Sequence, residues 1–506
     1  MELPHNESAV VRLSLICGIL AVLLLLWTSR SSDPIYRSFK RYTPVIFSRK
    51  PIHEVVQIGY DEVKGREPFV VRWWANDFIV MPPKYLKDIR GASWRHLSFF
   101  ESISNSLHLQ VSAGDLYTAN SSQMMVDVIK RGLNPRIQTL TPLIVREIDY
   151  SFEKLLGSST EWQEVKATAF FGEVAHRTVT RVLIGEELCR NERFIRRSTD
   201  FLESIFVTAL VISNLPLGRF RSFFARPLSL LHRRRLRHCM DILRPVVRKR
   251  LKDHRGLHQA NNIDAIRWNL DLLPQDLESL DEDRFLKELL HNLWAASSAP
   301  GGMITEIVYQ LLSRPEDIKH IREEAIKAMN QHGWCDKMDN SLVLQDSYIR
   351  ETNRLFPTGS ITCVRTVLDS PFRFSDGLTL PVGSRFGFPA MAIQREQNEI
   401  EDPLNFYGFR FARKCSTDTA SDDSEKRWAA SSVDMSNLPW GYGNHVCPGR
   451  FFAVKLIKLV ISKLLIEYEI NWDRKQHGSP ARVQIEGQFV PNMEQRVLLR
   501  RRRKTT

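Results

Sequence analysis

The segment Pro439-Trp440-Gly441-Tyr442-Gly443-Asn444-His445-Val446-Cys447-Pro448-Gly449-Arg450 presents one cysteine in a setting suited to a metal-bound thiolate. Pro448 opens the apolar-periodic run Phe451, Phe452, Val454, Leu456, Ile457, Leu459, Val460 and Leu464, which reads as a helix. Proline is favoured at the first helical position, so the spacing predicts Cys447 as the N-cap. The free N–H groups of Gly449 and Arg450, with the positive end of the helix, then point at the sulfur and favour its anion. Gly441, Gly443 and Gly449 permit a tight loop whose backbone can approach a flat cofactor. A thiolate held this way suits an axial ligand to haem iron; a cysteine without such neighbours packs as a small hydrophobe.

The order of residues in this loop resembles the haem-binding loop of the cytochrome P-450 superfamily, which runs aromatic-Gly-x-Gly-x-x-x-Cys-Pro-Gly. It is also similar to the fungal form of that loop, which ends Cys-Pro-Gly-Arg-Phe-Phe-Ala. The resemblance implies haem b as cofactor, with Cys447 as its thiolate ligand to iron. Trp440 stands where the family usually has Phe; it is expected to shield the proximal face, with its indole N–H near the sulfur. His445 takes the place of a basic residue facing a haem propionate. Arg365, with Lys130 or Arg131 behind it, is a further propionate candidate, and no Trp-x-x-x-Arg is present to share that task.

Upstream, Glu351 and Arg354 fall at i and i+3, on one helix face, just before Pro357. Alone, such a pair reads as a solvated surface contact. It resembles the family's Glu-x-x-Arg, at a similar separation from the cysteine. The run from Glu401 to Phe411 looks like the segment whose arginine, here Arg410, completes a Glu-Arg-Arg cluster. By that resemblance the three form a buried ion network beneath the haem, and loss of a member would release haem before altering chemistry.

Register counted back from Arg314-Pro315-Glu316 lays Ala295-Ala296-Ser297-Ser298-Ala299 over the family's small-x-acid-Thr signature on the helix above the haem. Ser298 then stands where an acid is common and Ala299 where a threonine is expected, so these two mark the catalytic position. A methyl group neither donates nor accepts a proton, so Ser297, Ser298, a water or a substrate hydroxyl must serve instead. Thr305, six residues beyond Ala299, points to another face. Pro300 removes one N–H inside the helix and should kink it.

The elements that must position these residues are mostly helices. Strand patterns appear at Phe69 to Trp73, Phe78 to Met81, Phe372 to Phe374 and near Leu380, and no repeat or linker divides the chain after about residue 60. The resemblance implies a mainly α fold with small β-sheets, a triangular helical prism. Residues 9–28 are apolar enough for one transmembrane anchor, followed by a basic and proline-bearing hinge over 29–60 and a catalytic domain over 61–506. A cleaved signal peptide is the alternative. Basic residues collect after the span (Arg30, Arg37, Lys40, Arg41), which places the body in the cytosol on an endoplasmic reticulum membrane.

The formal charge of +13 concentrates at Arg233 to Arg250 and in the tail. No aromatic or glycine-rich module accompanies it, which argues against nucleic acid, whereas the apolar and cationic stretch 215–228 suits a membrane surface. Lys455 and Lys458 suit an acidic flavoprotein donor. By the resemblance, substrate contacts are expected from about Ser93 to Ser122, from the 215–228 loop over the substrate entrance, from Trp294 to Met303, from Thr358 to Thr362 and around Phe489-Val490. Together the motifs imply a fungal haem-thiolate monooxygenase of secondary metabolism, acting on a lipophilic terpenoid, indole or polyketide skeleton with electrons from an NADPH-dependent reductase. The alternative is desaturation, ring formation or rearrangement on the same scaffold.

Overall fold

The computed structural model describes residues 14–19, 34–42, 50–118, 123–215, 220–255, 262–273, 280–396, 400–417, 427–473 and 478–503. Helices dominate, as expected. The longest, Glu282–Leu312, starts at an Asp281 N-cap whose carboxylate accepts from the Arg284 amide, and it runs unbroken through Pro300. Its interior is buried from Met303 to Leu312. It packs most closely on Ala167–Leu183, where a Cβ on Gly301 would lie 2.9 Å from the Gly172 Cα. Two small residues thus let the backbones approach, and any larger side chain at Gly301 would push the helices apart.

Glu192–Asn214 and Leu230–Arg255 pack on each other above this pair, and Arg450–Glu467 runs beneath it. That last helix is buried from Val454 to Leu465, as its nearly continuous apolar sequence requires.

The largest sheet has six strands in the order Lys40–Tyr42, Phe69–Trp73, Asn76–Val80, Arg385–Phe388, Thr362–Val367, Leu97–Ser98. Phe69–Trp73 and Asn76–Val80, close to the two strand patterns expected there, form a hairpin paired Val71 to Phe78. Its parallel neighbour Arg385–Phe388, joined through Ile79 opposite Phe386, was not evident from sequence. A second sheet joins Tyr468–Trp472, Arg496–Arg501 and Gln163–Lys166, and Val483–Ile485 pairs with Gln488–Val490 as a separate hairpin.

The expected division at 60/61 falls inside the helix Ile52–Glu62. Lys40–Tyr42 pairs with Phe69–Trp73, and Tyr36 is buried in the sheet core. Residues 34–42 and 52–60 are therefore built into the body rather than forming a hinge, because sheet pairing satisfies their backbone groups. Among the described residues no helix is long and apolar enough to cross a membrane. Of the expected anchor 9–28, only 14–19 are described, as exposed helix.

Candidate haem-thiolate site

Cys447 lies between a single 3-10 turn, Gly443–His445, and the helix Arg450–Glu467. The helix begins later than expected: its N-cap is Gly449, not Cys447. The loop first closes on itself, with the Cys447 amide donating to the Trp440 carbonyl at 2.7 Å, and Pro448-Gly449 turn before the helix starts. The Gly449 and Arg450 amides still lie close enough to lower the proton affinity of the sulfur. Burial pushes the thiol up from its ordinary value, against the pull of the Gly449 amide, the Arg450 charge and the Arg450 amide. In the protein alone burial outweighs those groups and keeps the sulfur protonated, short of the anion expected from the helix end, so a bound metal cation would be needed to hold the thiolate.

The loop is clamped from several directions. Gly443 has φ +70°, and a Cβ there would sit 2.6 Å from the Arg90 carbonyl oxygen. That carbonyl accepts the Asn444 amide at 3.2 Å, while Asn444 Nδ2 reaches the Ala92 carbonyl at 3.1 Å. Asn134 Nδ2 donates to the Pro448 carbonyl at 3.0 Å. Arg450 spans the loop, its Nη1 donating to the Cys447 carbonyl and its Nε to the Ser431 carbonyl, each at 3.0 Å. Gly449 has an ordinary φ and open space on its Cβ side, which leaves room for a flat ring system. Trp440 departs from expectation: its Nε1 donates to the Ala430 carbonyl at 2.7 Å, a better acceptor than sulfur.

Glu351 and Arg354 share a face of the helix Val343–Leu355 and are buried. Arg354 Nε and Nη2 donate to the two oxygens of Glu351 at 2.8 and 3.0 Å, and Arg410 Nε reaches Oε1 at 3.1 Å. The Tyr407 amide adds a donor at 3.0 Å. The remaining guanidinium N–H groups take carbonyls: Arg354 those of Gln394, Pro403 and Asn405, Arg410 those of Glu401, Asp402 and Asn405. Such completion is what a buried ion cluster needs to persist.

The same helix supplies a residue that sequence reading overlooked. Arg350 Nη1 donates to the Arg427 carbonyl and Ser432 Oγ, both at 2.7 Å, and its guanidinium lies 4.4 Å from the Phe411 ring centroid. It fixes the 427–432 segment whose carbonyls receive Trp440 and Arg450. Its partners lie some eighty positions away, so no local pattern announced it.

Arg365, in the strand Thr362–Val367, is 1 % exposed. Its guanidinium donates to the Val364 and Tyr442 carbonyls at 2.8 and 3.0 Å and meets no carboxylate among the described residues. Burial lowers its proton affinity to a pKa of about 10. His445 lies beside it, hydrogen-bonded to the Leu97 backbone, with Nε2 buried and without a protein partner. Burial first, then Arg365 and Lys130, hold that imidazole neutral with a pKa of about 3. It is therefore not the cation expected at this position in the protein alone. Arg131 points outward and lies 4.0 Å from Asp127. A buried cation without an anion, next to an orphaned imidazole nitrogen, fits the carboxylates of haem.

On the opposite side, Ala295, Ser298 and Ala299 are accessible while Leu293, Ser297, Pro300 and Gly301 are buried. The spacing i, i+3, i+4 places the accessible three on one face of the 282–312 helix. Ser297 is turned away: its Oγ meets His176 Nδ1 at 3.0 Å, and His176 Nε2 meets Ser198 Oγ at 2.7 Å. Of the two serines named as donors, Ser298 alone stands on the open face. Thr305 is fully buried with its hydroxyl donating to the Gly301 carbonyl at 2.8 Å, as its register implied.

Lys455 and Lys458 do not form the expected docking surface. Lys455 is buried against Asp336 at 2.8 Å and Asp339 at 3.3 Å, and Lys458 against Asp346 at 2.8 Å. Their helix is enclosed on all sides, so the charges are internal pins rather than recognition groups.

The chain matches the family model described as Cytochrome P450 over residues 119–491. It is similar to the cytochrome P450 monooxygenase sirB of Leptosphaeria maculans, 36 % identical over 86 % of this chain and 83 % of that one. It is also similar to an ent-kaurene oxidase of Gibberella intermedia, 26 % identical over 88 % of this chain and 83 % of that one. A retinoic acid-bound cyanobacterial CYP120A1 shares the fold with a TM-score of 0.63 at 15 % identity, covering 86 % of this chain and 92 % of its own. The loop geometry and the extent of these matches lead to one conclusion: this chain belongs to the cytochrome P450 family of haem-thiolate iron proteins and is a P450 monooxygenase.

Proposed function

We propose that the protein oxidises a lipophilic secondary metabolite of a fungal biosynthetic pathway, with Cys447 as the thiolate ligand to haem and Arg365 as a propionate partner. The observation that carries this reading is the cysteine loop, where the Gly449 and Arg450 amides act on the Cys447 sulfur, together with an accessible small-residue face on the 282–312 helix. When bound, thiolate-ligated haem supplies activation of dioxygen, so that one oxygen atom enters the substrate and the other leaves as water. The chain's own part is to present the Cys447 sulfur beside the Gly449 and Arg450 amides, leave room for a flat ring, and position a proton. Ser298 Oγ is the side-chain donor for that proton, Ala299 being inert. Glu351, Arg354 and Arg410 keep the cysteine loop in place.

An ent-kaurene oxidase among the relatives supports a terpenoid-like substrate. Electrons come from an NADPH-dependent reductase. Exposed Phe220, Phe223, Phe224, Leu230 and Leu231, beside the basic helix 230–255, support attachment to a membrane surface of the endoplasmic reticulum, with the 9–28 anchor adding to it. Incubation with oxygen-18 gas, reductase, NADPH and candidate precursors tests the reading: an oxygen-18-labelled product is expected. An unlabelled, desaturated or rearranged product would establish the second reading, which the loss of a hydroxyl at Ala299 favours.

A further inference from the structure

A line of ring contacts runs from the cysteine loop to the helix that carries Ser298. His445, close to Arg365, faces Phe99 with ring centroids 6.4 Å apart, and Phe99 meets Phe100 at 5.5 Å. Both phenylalanines open the helix Phe99–Leu107, which packs along the strand Thr362–Val367 that holds Arg365. Phe100 lies 6.0 Å from Tyr117, and Tyr117 lies 5.2 Å from His291 on the 282–312 helix. From His291 the line passes to Trp294 at 6.3 Å, and Trp294 meets Phe206 of the helix Glu192–Asn214 at 5.9 Å.

Trp294 stands four residues before Ser298, so the two side chains share a helix face. It thus borders the accessible stretch of Ala295, Ser298 and Ala299, and it is only half-buried, as are Phe99, Phe100 and Phe206. Tyr117 and His291 behind them are closed off.

This wall has two physical properties. It is uncharged: burial holds His291 neutral with a pKa of about 3 and raises the Tyr117 phenol, whose hydroxyl is spent on His291 Nδ1 at 2.7 Å. Its contacts are not parallel stacks, since adjoining planes along the line meet at angles from 40° to 81°. Rings in that state attract a further ring, offset or edge-on, beyond what buried area gives, whereas a saturated skeleton of the same size gains only the area.

We infer that the substrate carries a neutral aromatic ring, held against Trp294 and Phe206 one helical turn from Ser298; this rests on the monooxygenase reading above. Skeletons with a flat ring at one end are taken in preference to fully saturated ones of the same size.

The test is equilibrium dialysis of the haem-loaded protein against 2-naphthol and decahydro-2-naphthol, for the parent, Trp294→Leu, Trp294→Phe and Phe206→Leu. The probes share a skeleton and a hydroxyl, and the saturated one is the more lipophilic, so a merely apolar pocket would favour it. The parent should instead bind 2-naphthol roughly fivefold more tightly. Trp294→Leu should erase that preference without weakening decahydro-2-naphthol to the same extent, Trp294→Phe should keep most of it, and Phe206→Leu should lose part. Equal binding by the parent, binding of neither probe, a preference for the saturated one, or a preference that survives Trp294→Leu would overturn the inference. The parent comparison decides the matter even where a variant does not fold. Dialysis does not read the iron: an oxygen-18-labelled product without the ring preference sinks this inference alone, and a missing thiolate carbon monoxide band sinks the monooxygenase reading instead.

Discussion

Around Cys447 the chain concentrates charged and polar side chains, each tied to a backbone or carboxylate partner, whereas the facing stretch of the 282–312 helix offers two methyl groups and one hydroxyl. Glu351 alone receives donors from Arg354, Arg410 and the Tyr407 amide. Ala295, Ser298 and Ala299 present an accessible surface with little to bond. The difference reflects two physical demands. A buried thiolate loop must be over-determined, because burial alone raises the thiol and any slack lets the sulfur reprotonate. A substrate face must stay small and open, because every fixed side chain would exclude part of the ligand.

The comparison breaks most completely at Cys447. Cys447→Ala should abolish the carbon monoxide difference band characteristic of a thiolate haem. The next largest effect belongs to Glu351→Gln, which leaves Arg354 and Arg410 without their buried carboxylate. It should cost about 3–5 kcal/mol in urea unfolding and sharply reduce bound haem. A purely surface ion pair would show a change below about 1 kcal/mol instead.

Acid should find the upper half of the molecule. Burial holds His176 and His232 neutral with pKa about 4, and His291 with pKa about 3. Their unfolded imidazoles titrate near 6.5, so stability is complete above that pH and is lost as pH falls toward 4, when the unfolded chain takes up protons first. Each contributes a slope of about 1.4 kcal/mol per pH unit in that window. Urea midpoints measured between pH 7.5 and 5 should therefore fall, and His176→Gln should flatten the slope by one proton.

The finest distinction lies between adjacent serines. Ser297→Ala strands a buried imidazole nitrogen and should cost about 1–3 kcal/mol with no change in the coupling of NADPH to product. Ser298→Ala should leave stability within about 0.5 kcal/mol and lower coupling severalfold. Ala299→Thr should bring no gain in coupling; a large gain would show that Ser298 does not handle the proton.

Glu351 and Arg354 were legible through their resemblance to a family motif, since the i, i+3 spacing sets a shared helix face but not its burial, whereas the Cys447 loop was also legible from glycines and a proline that act within a few residues. Lys455 and Lys458 were misread, since periodicity does not reveal that a helix is enclosed on every side. Trp440 was read as a sulfur donor because its acceptor, the Ala430 carbonyl, arrives from a segment that Arg350 holds. The buried strands around Arg365 were missed because their pairing partners are remote in the chain.

Resemblance to short family motifs marked the thiolate loop, the Glu351 pair and the missing hydroxyl at Ala299, and local geometry by itself fixed only which of those residues share a helix face. Tertiary packing decided which cation is buried without an anion, Arg365, and which are neutralised, Lys455 and Lys458. Burial and the nearest opposite charge are long-range properties, and they set whether a charged group holds the fold or waits for a ligand.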